Sequence, residues 1–200
     1  ASHGWEHIRV NTQRPDDFFT DIDRTRKLLQ DLTGQPVIGY RAASYSIGAS
    51  EAWAWERLAE AGYQYSSSIV PIHHDLYGIP DAPRFAFTPE SADILEIPIT
   101  TVPVAGRNLN CGGGGWFRLF PYTFSRWALN RVNSVDAQPG IFYFHPWEID
   151  ADQPLDEVVR SGQVRVAFDI YNKYFNLMCS ATVLMYFFKS SSDLNDYECK

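Results

Sequence analysis

His3 and His7 lie four residues apart in Ser2-His3-Gly4-Trp5-Glu6-His7. That spacing puts two side chains on one side of a helical turn or a tight loop. Imidazole is the commonest nitrogen ligand for a divalent metal at neutral pH. The pair is therefore a candidate for two ligands of a metal site, with two solvated loop histidines as the alternative. Two further reactive side chains follow apolar runs. Arg41 closes Val37-Ile38-Gly39-Tyr40-Arg41, and His145 closes Ile141-Phe142-Tyr143-Phe144-His145. Alone, the first reads equally as a surface ion-pair partner and the second as a core histidine. Together they make the inventory of a metal-assisted hydrolase. The metal polarises a carbonyl and acidifies water, and a histidine off the metal protonates the leaving group. Catalytic zinc sites normally have three protein ligands, and no convincing Asp or Glu stands near the first pair.

His3-Gly4-Trp5-Glu6-His7 is also a literal H-x-x-E-H, a zinc peptidase signature. That chemistry needs the motif on a helix with Glu6 as base. Gly4 lowers helix propensity, and the β-branched Ile8 and Val10 follow at once.

These side chains must be held by elements that the pattern of the chain predicts. Pro15-Asp16-Asp17, then Phe18, Ile22, Thr25, Leu29 and Leu32, is a helical stripe with Gly34 at its end. Asp16 and Asp17 suit the helix N-terminus better than a catalytic dyad. Strands are expected at 37–41, 63–70, 94–98 and 141–144, and helices at 50–61 and 121–132 with Pro121 at the first helical position. Pro71 to Pro89 is expected to be a long loop. Cys111-Gly112-Gly113-Gly114-Gly115-Trp116-Phe117 is expected to be loop as well, letting backbone approach a neighbour closely. No Lys-Ser or Lys-Thr follows it, so it is no phosphate cradle. Strands alternating with helices indicate a parallel α/β sheet or barrel, where polar residues just past strand ends are the catalytic ones. Arg41 and His145 hold that position.

Two hundred residues suit one domain. A net charge of −7 argues against nucleic acid as the main partner. Cys111, Cys179 and Cys199 are odd in number and form no C-x-x-C pair, so neither a disulfide framework nor a cysteine zinc site is expected. Leu177 to Phe188 is apolar but too short to span a bilayer, so no transmembrane segment is expected. The chain opens within a motif and is expected to be a fragment whose natural N-terminus is missing.

Several motifs in register resemble the polysaccharide deacetylases with a NodB-homology domain, carbohydrate esterase family four. The branch resembled is the one linked to exosortase and exopolysaccharide gene clusters. Ser2-His3-Gly4-Trp5-Glu6-His7 matches its H-x-x-x-H metal motif, and Tyr40-Arg41-Ala42-Ala43-Ser44 its arginine motif. Tyr65-Ser66-Ser67-Ser68-Ile69-Val70-Pro71-Ile72 is similar to Y-D-S-S-I-F-P-I, and Tyr77-Gly78-Ile79-Pro80-Asp81-Ala82-Pro83-Arg84 continues it. Phe144-His145-Pro146-Trp147-Glu148 matches L-H-P-W-E. The resemblance implies an incomplete (β/α) barrel that lacks its first strand or strands. It assigns residues 1–165 to a partial catalytic domain and 166–200 to a divergent C-terminal segment.

The same resemblance implies removal of N-acetyl groups from amino-sugar residues of a bacterial polysaccharide, in cytoplasm or cell envelope. His3 and His7 would bind one divalent metal, zinc first, with cobalt, nickel or manganese as alternatives. Arg41 would orient a general-base Asp, and the Ser44 backbone N–H would help hold an oxyanion. His145 would be the general acid, and Tyr45 and Trp147 would line the sugar groove. The family's own Asp-Asp motif, source of the base and third metal ligand, is expected upstream of residue 1. The alternatives are a non-catalytic carbohydrate-binding or structural relic of the same fold and, further off, the H-x-x-E-H peptidase.

Overall fold

The computed structural model describes residues 1–145 of the 200. It divides into two units, 1–110 and 111–200. The expected domain boundary at residues 165 and 166, and Trp147, lie outside the described residues.

In the first unit, helix α1 spans Pro15–Thr33. Pro15 presets the helical φ, Asp16 and Asp17 face the positive end of the dipole, and Gly34 ends the helix at φ 64°. Phe18, Ile22 and Thr25 form its buried stripe. Helix α2, Trp53–Glu60, packs beside it, with Trp53 edge-to-face on Phe18, and buries Ala54, Trp55 and Leu58. A 3-10 turn at Ala49–Glu51 precedes it, so the helix starts later than the sequence suggests. Both helices share one core with Tyr40, Ile69 and Ile94 of the sheet layer. Full burial of a side chain the size of Phe18 or Ile22 contributes about 1.5–3 kcal/mol.

Three strands, β1 (Gly39–Tyr40), β2 (Tyr65–Ser66) and β3 (Leu95–Glu96), pair in parallel in that order. Ser2 adds a fourth position on the β1 side. Its N–H donates to the Gly39 carbonyl at 2.8 Å, and its own carbonyl accepts the Arg41 N–H at 3.0 Å. The strands are far shorter than the apolar runs suggest. After β4 (Thr101–Val104) the chain turns back as antiparallel β5 (Arg107–Asn110). Ala105 and Gly106 turn this hairpin with φ of 49° and 78°, the backbone that a two-residue turn needs. Among the described residues these sheets are mixed α/β and do not close into a barrel.

The second unit corrects two expectations. Gly114–Leu119 is a helix, α3, not a loop. The start of the glycine run has the expected close approach: Gly113 bridges Tyr143, and a Cβ there would stand 2.6 Å from the tyrosine ring. Helix α4 spans Tyr122–Ser134, with Pro121 in its N-cap rather than at the first helical position. The apolar run 141–144 contributes the single parallel bridge at Tyr143. No helix among the described residues is long and apolar enough to cross a membrane.

Candidate functional site

The parallel strands end on one edge, and the candidate residues of the first unit stand just past those ends. His3 follows Ser2, Arg41 follows β1 and Ser67 follows β2. The loop from His3 to His7 is not helical. Gly4 has φ 83° and His7 φ 54°, so the histidines converge through a tight bend. Their ring centroids lie 4.9 Å apart at 68°. Two imidazoles on one tetrahedral ion at the usual zinc–nitrogen length have centroids about 5 Å apart. A non-helical segment gives no support to the H-x-x-E-H peptidase geometry.

Helix α1 shapes that bend. The Asp21 carboxylate accepts the Trp5 N–H at 2.9 Å and the Glu6 N–H at 3.0 Å. A Cβ on Gly4 would come within 2.9 Å of the same carboxylate, so glycine is required on both counts, conformation and space. The Arg24 guanidinium covers the Trp5 ring at 3.8 Å to its centroid. A cleft of about 260 Å³ between this loop and α1 is lined by Trp5, Gln13, Asp21 and Arg24, among others, and by neither histidine.

His3 Nδ1 lies 2.7 Å from the Arg41 carbonyl oxygen. A carbonyl only accepts, so Nδ1 carries the proton and Nε2 bears the acceptor lone pair. Metal-binding histidines are commonly oriented in this way. Arg41 is itself held. Its Nε donates to the Ser67 carbonyl at 3.0 Å, and its Nη2 to the Ser67 hydroxyl at 2.9 Å. The guanidinium stands 5.7 Å from the Tyr45 ring centroid. Ser44 and Tyr45 take φ of 54° and 51°, a conformation that non-glycine residues adopt at a cost of order 1–3 kcal/mol. With His7, three of the expected site residues thus sit in left-handed backbone. Ser44 is exposed and Tyr45 is buried.

Three residues that hold the site were given no part in it from sequence: Asp21, Ser67 and Glu96. Glu96 is fully buried on β3. Its Oε1 accepts the N–H of Ser68 at 2.7 Å and of Ile69 at 3.2 Å, and its Oε2 accepts the Trp55 indole N–H at 2.9 Å. Burial pushes its carboxyl up, against these donors and the Ser66 hydroxyl, which pull it down. The signal available was one acid inside the apolar run Ile94-Leu95-Glu96-Ile97.

His145 belongs to the second unit. It is exposed and meets Tyr143 edge-to-face, with centroids 6.1 Å apart. Among the described residues no group of three or more His, Cys, Asp or Glu side chains is placed to hold a metal ion. The His3/His7 pair suits two coordination positions, and the described residues supply no third.

Fold and site together define a mixed α/β protein with polar loops at the ends of parallel strands. A family model described as a domain of unknown function, DUF3473, matches residues 67–182. The chain belongs to the DUF3473 family. The match begins at Ser67, the residue that grips Arg41, and includes Glu96 and His145. No curated protein matches the chain.

Proposed function

We propose that the chain is part of a metal-dependent polysaccharide N-deacetylase, built on an incomplete NodB-like (β/α) barrel. The observation that carries this reading is the convergence of His3 and His7 at 4.9 Å, with the Nδ1 of His3 fixed on the Arg41 carbonyl. Membership of DUF3473, a family associated with polysaccharide deacetylase-like proteins, supports it. A bound divalent ion would acidify water and polarise an amide carbonyl. The residues have distinct parts in this reading. His3 and His7 present imidazole nitrogen to the ion. Arg41, clamped by Ser67, orients the general base. The Ser44 N–H helps hold the developing oxyanion. Tyr45 and Trp147 bind the sugar, and His145 donates a proton to the leaving amine.

The test is acetate release from a chitin oligomer by the full-length protein with added Zn²⁺ or Co²⁺, beside calorimetric Zn²⁺ titration of residues 1–200. Release is expected, and His3→Ala and His7→Ala are each expected to abolish it. Zinc binding by residues 1–200 is expected to be weak, because the described residues offer two ligands where catalytic sites use three. Tight stoichiometric binding through this pair alone would overturn the ligand count. A folded, metal-loaded protein that releases no acetate would overturn the deacetylase reading for this substrate class. The two-ligand count is also what a non-catalytic, sugar-binding relic of the fold would show, and retained oligomer binding without release would identify that case.

A further inference from the structure

Past Ser67, whose N–H still donates to the Tyr40 carbonyl at 2.9 Å, the second strand leaves the ladder. The N–H groups of Ser68 and Ile69 then have no strand partner, and the Glu96 carboxylate takes both. Its other oxygen is tied to α2 through the Trp55 indole. The Ser66 and Ser68 hydroxyls stand 2.7 Å apart, and Ser68 Oγ accepts the Ala42 N–H at 2.9 Å. One buried carboxylate therefore fixes the segment that directly follows Ser67. Ser67 in turn holds the Arg41 guanidinium by two hydrogen bonds, and the Arg41 carbonyl fixes the ring of His3.

We infer that Glu96 is a positioning residue for this site, setting the Arg41 guanidinium through Ser67 and the His3 tautomer through Arg41. The functional meaning of the inference rests on the site reading above; its structural content does not. The geometry favours this role over plain core packing. An apolar side chain would fill the same space, yet would leave the Ser68 and Ile69 amides and the Trp55 indole without acceptors. The Ser67 carbonyl shares its peptide plane with the Ser68 N–H, so the carboxylate that holds this N–H also sets the direction in which the Ser67 carbonyl points.

Nitrogen-15 NMR of the full chain tests it. The readouts are solvent exchange of the Arg41 Nε–H and the tautomer of the His3 imidazole, in wild type, Glu96→Gln, Glu96→Asp, Ser67→Ala and Ile22→Val. Ile22 is buried on α1, makes none of the hydrogen bonds in this chain, and controls for general loss of stability. Glu96→Gln is expected to speed Arg41 Nε–H exchange about tenfold or more and to mix the His3 tautomers. Ser67→Ala is expected to reproduce the Arg41 change with Glu96 intact, and Ile22→Val to leave both signals alone. Should Glu96→Gln fail to fold, Glu96→Asp, one methylene shorter, is expected to show the same changes at smaller size. A folded Glu96 variant with unchanged Arg41 exchange and His3 tautomer overturns the inference. So does an Ile22→Val change of equal size. Acetate release is a separate readout: its absence from wild type would sink the deacetylase reading and leave the positioning result standing.

Discussion

Tyr63 shows how single groups tie the first residues of the chain to its core. Its hydroxyl donates to the Ile22 carbonyl at 2.9 Å, and its ring is buried against Tyr40. Burial pushes the phenol up to about 12, against the Ser2 hydroxyl and the Arg26 guanidinium, which pull it down. Tyr40 is pushed up further, by burial and then by the charge of Asp21. The sign of the pH effect follows. In the unfolded chain these phenols lose their protons near the ordinary value of 10, and in the folded chain they keep them to higher pH. Their contribution is complete below the unfolded value and is lost as pH rises through the folded one. Tyr63→Phe removes one hydrogen bond and is expected to cost about 1 kcal/mol at neutral pH. It also removes one ionising group. The gap to wild type is therefore expected to close, and then invert, in urea unfolding at about pH 11. A gap constant across that range would show that Tyr63 does not carry the alkaline sensitivity.

Between elements, the parallel sheet is held by a close fit as well as by its short ladder. Gly39 pairs with Tyr65 across β1 and β2, and a Cβ at Gly39 would collide with the Tyr65 ring. Gly39→Ala is expected to cost about 1–3 kcal/mol of stability by overpacking. Adding Tyr65→Ser is expected to recover part of that loss in thermal melts, which a purely conformational effect at Gly39 would not allow. This pairing explains what was legible in the chain and what was not. Helix α1 was legible to within a residue at its start, because Pro15, Gly34 and the apolar period are local signals. The strands were legible in place but not in length. After Ser67, side-chain groups on Glu96 and Ser68 take over the backbone partners, and periodicity does not see them. The helix at Gly114 defied its composition, since tertiary contacts override glycine's low propensity. The hairpin at 101–110 was missed because Ala105-Gly106 is a weaker turn signal than Asn-Gly. In the site, the spacing of His3 and His7 left their approach as one of two readings, and the end of the apolar run placed Arg41. Asp21 and Glu96 act largely through backbone amides, and Ser67 through its carbonyl as well as its hydroxyl, a use that residue type does not mark.

At the scale of the molecule, the first unit contains the whole of the core cluster, from Val10 to Ile94. It also contains both candidate ligands, the Asp21 brace and the chain of bonds from Glu96 to His3. His145 lies in the other unit. In the proposed function, metal binding and proton donation fall to separate parts of the chain, and they can be separated by experiment. Residues 1–110 alone are expected to unfold cooperatively, since they carry their own buried core. Their zinc affinity is expected to match that of residues 1–200 within about threefold, a difference below 1 kcal/mol. His145→Ala in the full-length protein is expected to leave zinc affinity unchanged while lowering acetate release about 10²–10⁴-fold, the usual loss on removing a general acid. If removing residues 111–200 abolishes zinc binding by a fragment that still melts cooperatively, a ligand lies in the second unit and the two roles are not divided in this way. If His145→Ala weakens zinc binding and release together, His145 is a ligand rather than the acid.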